Sequence, residues 1–173
     1  QRIRQAYILR DGIKPLPEQN LSAAEVENIK NEIKFLTAYG WWQMAEAYGG
    51  IPFKPDYIAP TDFTLSDLMI GQSKFDDVVD YCDKQMLEAA NALPAVYEDP
   101  SKYGRINKIM ALTVRARMLL FAASPLTNGN DWYKDYKNVD GENIFNPTYD
   151  PQKWVKAAEA CKLCIRSEEH TSE

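Results

Sequence analysis

The residues best equipped for chemistry gather in one stretch, 125–150, which reads PLTNGNDWYKDYKNVDGENIFNPTYD. Trp132, Tyr133 and Tyr136 offer aromatic faces, and Asn128 and Asn130 offer amides beside them. Sugars present flat apolar faces to rings and hydroxyls to amides and carboxylates, so this mixture is what a saccharide-binding surface requires. Asp131, Asp135 and Asp140 add carboxylates, and a glycoside hydrolase needs only two in register. With 25 acidic residues in the chain, however, chance pairing is the expectation. No G-x-S-x-G, no H-E-x-x-H and no glycine-rich phosphate loop occurs. The sequence therefore favours binding over catalysis, and no cofactor or metal is expected.

Other reactive residue types carry less. Cys161 and Cys164 form a C-x-x-C, but they lie in an Ala- and Lys-rich helical pattern without a second pair, which reads as ordinary helix. Three cysteines cannot make a disulfide framework. The only histidine, His170, falls in Arg166 to Glu173, RSEEHTSE, where the helical pattern breaks. That peptide matches the translation of a common sequencing-library adapter. The expectation is a native chain interrupted at about Ile165 with an eight-residue non-native tail, 166–173, so His170 should carry no mechanism.

The elements that must position the loop are helical. Across Glu32 to Phe53, EIKFLTAYGWWQMAEAYGGIPF, and the residues before it, Val26, Ile29, Ile33, Leu36, Gly40, Met44 and Ala47 recur at helical spacing. Phe35, Tyr39, Trp42 and Glu46 lie alongside, so this helix should be buried between neighbours, with Trp41 and Trp42 inside. Ser22 with Glu25 forms a capping-box start, and Gly49-Gly50 followed by Pro52 writes the stop. A shorter helix is expected over Ile3 to Leu9. Prolines at 52, 55 and 60 predict extended chain up to residue 72. Ser73 with Asp76 should open a helix whose stripe is Phe75, Val79, Cys82, Met86, Ala90 and Leu93. Its acidic face, including Asp76, Asp80 and Asp83, reads as solvated. Asn107 is the cap candidate for the next helix, buried through Ile109, Leu112, Ala116, Leu119 or Leu120, and Ala123. At least one of Arg115 and Arg117 should partner a carboxylate. Asp150-Pro151 starts the last helix, with Trp154, Ala158, Cys161 and Ile165 on one face.

The fold expected is all-α: helical hairpins stacked like tetratricopeptide repeats, although the repeat of roughly 34 residues is not itself legible. The chain has 173 residues, 45% of them hydrophobic, enough for a real core. Its net charge of −5 argues against nucleic acid as a partner. No run approaches the ~18 apolar residues of a membrane span.

Three blocks resemble one family. "FLTAYGWWQMAEAYGGIPF" is similar to the signature helix and exit turn of the SusD/RagB proteins. "FDDVVDYCDKQMLEAANALP" resembles their second helix, and "YGRINKIMALTVRARMLLFAASPLTNG" their third and most specific block. Thr37 stands where the family usually has Arg. The resemblance covers about Gln1 to Ile165, a middle portion of a family member. It implies a surface lipoprotein of the bacterial outer membrane, held by an N-terminal lipid anchor that this chain lacks. Such a protein captures an oligosaccharide or peptide and hands it to a SusC-like TonB-dependent transporter. No binding residue is carried over from the family. The alternatives are a helical-repeat adaptor for protein partners and, behind it, a carboxylate-dependent hydrolase.

Overall fold

The computed structural model describes residues 2–58, 60 and 62–169. Six α-helices account for most of them: α1 (Arg2–Gly12), α2 (Ala23–Tyr48), α3 (Leu65–Leu68), α4 (Phe75–Ala92), α5 (Lys108–Ala123) and α6 (Gln152–Glu169). Among the described residues no β-strand forms, only isolated bridges such as Pro52 with Gln72. The long helices pack in the order α1, α2, α4, α5, α6. Along α2 and α4, Trp42 meets Phe75, Ala38 meets Cys82 and Lys34 meets Glu88, so the two run antiparallel. Phe121 against Phe75 and Arg115 against Asp83 show the same for α4 and α5. This is the stack of antiparallel hairpins that the sequence predicts.

The helix ends follow from local chemistry. Ser22 Oγ accepts from the Glu25 amide at 3.1 Å and opens α2. Asn107 Oδ1 accepts from the Met110 amide at 2.9 Å and opens α5. Gly49, at φ 74°, closes α2 in a backbone region that side chains resist. At Gly50 the constraint is space: a Cβ would lie 2.5 Å from Ile144.

Several expectations change. Ser73 does not cap α4; its hydroxyl and amide both bond the Ile51 carbonyl, tying the connector back to the exit of α2. The connector is not wholly extended, because Asp67 accepts from both the amide and the hydroxyl of Thr64 and starts the single turn of α3. The buried face of α2 is Val26, Ile33, Phe35, Thr37, Ala38, Trp42 and Ala45, turned toward α4, which leaves Leu36 about half exposed. Thr37 takes the buried position with its hydroxyl donating to the Ile33 carbonyl at 2.9 Å, so no ion pair is needed there. On α5 it is Leu119, not Leu120, that is buried. The stripe expected on α6 is wrong: Trp154, Ala158 and Ile165 face outward, and Ala157 and Ala160 enter the core with Cys161 and Cys164 beside them. Small side chains let α6 approach α5 closely, and that contact sets its rotation. Helix α6 also continues through Arg166 to Glu169 without a break, while His170 lies outside the described residues.

The acidic face of α4 is an interface as much as a solvated surface. Asp76 pairs with Lys153 at 2.6 Å, Asp80 with Lys156 at 2.9 Å, and Asp83 with both Arg115 at 2.6 Å and Lys156 at 2.9 Å. Arg115 is thus the carboxylate partner expected of the arginine pair. Cys82 is enclosed, its thiol donating to the Ala38 carbonyl at 3.2 Å; burial pushes its pKa up to about 12, so it is an inert core residue.

The N-terminal turns of α2 are clamped from the loop before α5. Arg105 donates to Glu25 at 2.5 Å and to Glu32 at 2.8 Å, and Lys102 reaches Glu25 at 2.9 Å. The Glu25 carboxylate therefore points away from the Ser22 cap, and the expected capping box is only half made. Hydrogen bonds from Arg105 and then Lys102 hold the Glu25 pKa below the ordinary carboxylate value, against a smaller opposing effect of burial. The unfolded chain thus takes up a proton at higher pH than the folded one. The stabilisation is complete above the ordinary carboxylate range and is lost as pH falls through the folded pKa. Urea midpoints of the wild type and Glu25→Gln should differ at pH 7 and converge at acid pH; a gap that does not change with pH would contradict this clamp.

Candidate functional site

The aromatic loop leaves α5 at Ser124 and is closed at its base by one buried amide. Asn128, 3% exposed, donates to the carbonyls of Ala123 and Asp150 and accepts from the Asp150 amide at 2.8 Å. Both of its polar atoms are engaged in holding the two ends of the loop together. Thr127 reinforces the base, its hydroxyl donating to the carbonyls of Phe121 and Ala122. Gly129, at φ 74°, passes so close to Tyr149 that a Cβ would meet its backbone at 2.7 Å. Asp150 then accepts from the Gln152 amide at 2.8 Å and starts α6.

Within this frame Asn130 has a local task. Its Oδ1 accepts from the Trp132 amide at 3.0 Å and its Nδ2 donates to the Leu126 carbonyl, which shapes the 3-10 turn Asp131–Tyr133. The turn lifts Trp132 into solvent, 87% exposed. Tyr133 folds back and stacks on Phe145, with centroids 4.5 Å apart. Phe145 in turn leans on Phe75 of the core. Tyr136 lies beside Phe145 at 6.3 Å, and its hydroxyl accepts from Gln72 Nε2 at 3.0 Å. The loop is thus anchored through Phe145 and Ile144, both buried, and carries its remaining rings on the surface.

Tyr133 and Tyr136 line a cavity of about 190 Å³ together with Tyr48, Gly49 and Leu126. Tyr48, 73% exposed in the last turn of α2, joins this surface without having been singled out from the sequence. The available signal was its place immediately before the Gly-Gly exit, where a helix leaves the core. Trp132 does not line the cavity and stands apart from it. The structure therefore brings Tyr133 and Tyr136 together, projects Trp132 outward, and uses Asn128 and Asn130 for the backbone. Asp131, Asp135 and Asp140 are all exposed. Among the described residues no cluster of His, Cys, Asp and Glu could hold a metal ion, and no helix is long and apolar enough to cross a membrane.

Comparison with known proteins gives this surface a context. Residues 1–120 match the model of a family described as SusD-like, starch-binding and associating with the outer membrane. The chain is similar to the solved protein named BT4246, with 33% identity over 95% of this chain and a TM-score of 0.81. A selenomethionine form of BT4246 gives 32% identity and a TM-score of 0.75. A SusD-like protein from Bacteroides fragilis NCTC 9343, BF3747, shares the fold at 21% identity over 70% of this chain, with a TM-score of 0.59. No curated protein sequence matches. The chain spans only 28% of the length of BT4246 and 22% of BF3747. Helix order, exit turn, family match and structural likeness agree, and the chain belongs to the SusD-like family.

Proposed function

We propose that this chain is part of a surface protein that captures glycans, or peptides, and delivers them to a SusC-like TonB-dependent transporter. The observation that carries this reading is an aromatic surface on a rigid helical base. Trp132 is almost fully exposed and Tyr133, Tyr136 and Tyr48 line a cavity, in a family of glycan-binding proteins of the outer membrane. Tyr133 and Tyr136, packed against Phe145, bind without first losing conformational freedom. Asn128 and Asn130 act here by shaping the loop, and Trp132, Tyr133 and Tyr136 by contacting ligand. The role requires no catalysis.

Trp132→Ala tests the reading in the full-length protein. Removing a side chain this exposed should change stability by no more than about 0.5 kcal/mol. Losing a stacking platform should weaken saccharide binding by about tenfold or more, read by titration calorimetry. A large fall in melting temperature with unaltered affinity would make Trp132 a packing residue. Delivery is tested by co-purification from outer membranes: a TonB-dependent transporter should come with the protein, and purification free of any such transporter would contradict it.

A further inference from the structure

A second cavity lies on another side of the molecule, about 690 Å³ in volume, between the start of α1, the middle of α2 and the 52–70 connector. Its wall carries Trp41, Met44 and Tyr57, and its other lining side chains include Arg2, Arg4 and Lys54. Trp41, expected from the sequence to be buried like Trp42, is only partly so. It is nonetheless fixed: its indole N–H donates to the Tyr7 hydroxyl at 3.1 Å, and its ring meets Phe53 edge-on at 5.1 Å. Tyr57 carries the Lys54 ammonium over its ring at 3.6 Å.

The charge of this groove is opposite to that of the chain. Three cations line it against one carboxylate, Asp67, in a chain of net charge −5. The Asp67 oxygen facing Thr64 is already engaged by that residue's amide and hydroxyl. Arg10, next along α1, is paired with Asp11 and Asp56. Among the described residues Arg2 and Arg4 have no ion-pair partner, although both line the cavity. Unpaired guanidinium groups beside an immobilised indole form a receptor for an anion carried on an apolar-faced body.

We infer that this groove binds an acidic oligosaccharide, one bearing uronate carboxylates or sulfate esters. A pyranose face lies on Trp41, and the anionic groups meet Arg2, Arg4 and Lys54. A neutral glucan would leave Arg2 and Arg4 without a counter-charge. That the ligand is a saccharide rests on the reading above; that it is anionic rests on the groove alone.

The test is calorimetry of the full-length protein with two acidic probes and their neutral counterparts. The probes are tetragalacturonate and its carboxyl-reduced form, and a chondroitin sulfate oligosaccharide and its desulfated, carboxyl-reduced form. At least one acidic probe should bind about tenfold or more tighter than its neutral counterpart, with affinity falling as salt rises. The variant R2Q/R4Q/K54Q should lose about tenfold or more in that affinity at an unchanged melting temperature. Binding confined to neutral saccharides, or a triple variant that binds the acidic probe normally, would overturn the inference and leave glycan capture standing. Equal affinity for an oligoglutamate peptide would overturn the saccharide assignment. No binding to any saccharide would remove both readings.

Discussion

Replacing Asp83 by alanine should destabilise the protein by about 3–5 kcal/mol, the cost of leaving a buried charge unpaired. The Arg115 side chain is only 9% exposed and that of Asp83 12%, with Nε and Oδ1 2.6 Å apart. The second carboxylate oxygen reaches Lys156 at 2.9 Å, so one side chain of α4 ties down both α5 and α6. Without it, the guanidinium stays in the α4–α5 interface with no counter-charge. The pair itself need not be a large net source of stability, since desolvating both ions opposes their attraction. The double variant Asp83→Leu with Arg115→Met should therefore recover much of the loss. Urea denaturation of the three proteins checks this. A single-variant cost below about 1 kcal/mol would mean that water reaches the pair, contrary to the packing described.

Trp42→Ala should cost a similar amount, about 3–5 kcal/mol, by a different route. Trp42 is 2% exposed and its ring sits edge-on to Phe75 at 6.2 Å and to Phe121 at 5.4 Å. It is where α2, α4 and α5 meet, and Phe75 also carries Phe145, the anchor of the aromatic loop. The cavity left behind should therefore loosen the loop as well as the core. Thermal melting should show the loss of stability, and near-ultraviolet circular dichroism should show disturbance of the remaining rings. Retention of the wild-type melting temperature would contradict the placement of Trp42 at the junction.

What could be read from the sequence was local. The stripe of α4, from Phe75 to Leu93, is buried as its spacing predicts, because a helix flanked by α2 and α5 hides any continuous apolar face. The caps at Ser22 and Asn107 depend on neighbours three residues away and are equally legible. The failures involve partners far along the chain. Asp76 and Asp83 look solvated until Lys153, Lys156 and Arg115 arrive from α5 and α6, whereas Asp80 stays exposed as expected. Helix α6 offers two apolar faces, and composition favours the larger residues, but the Ala and Cys face is the one that fits against α5. Asn128 reads as an exposed amide, and only the closed loop shows both of its polar atoms engaged. Trp41 and Tyr48 were hidden for the opposite reason: they belong to a helix that is apolar over a wide arc, and periodicity does not reveal where that arc is left uncovered.

The central claim is that this chain helps a surface protein hold saccharide, and affinity electrophoresis of the full-length protein through gels containing a panel of neutral and acidic polysaccharides tests it directly. The account predicts that at least one polysaccharide retards the protein and that Trp132→Ala or R2Q/R4Q/K54Q reduces the retardation without altering the fold. If no polysaccharide retards it while a protein partner other than a TonB-dependent transporter co-purifies, the helical stack is an adaptor for proteins and glycan capture is wrong.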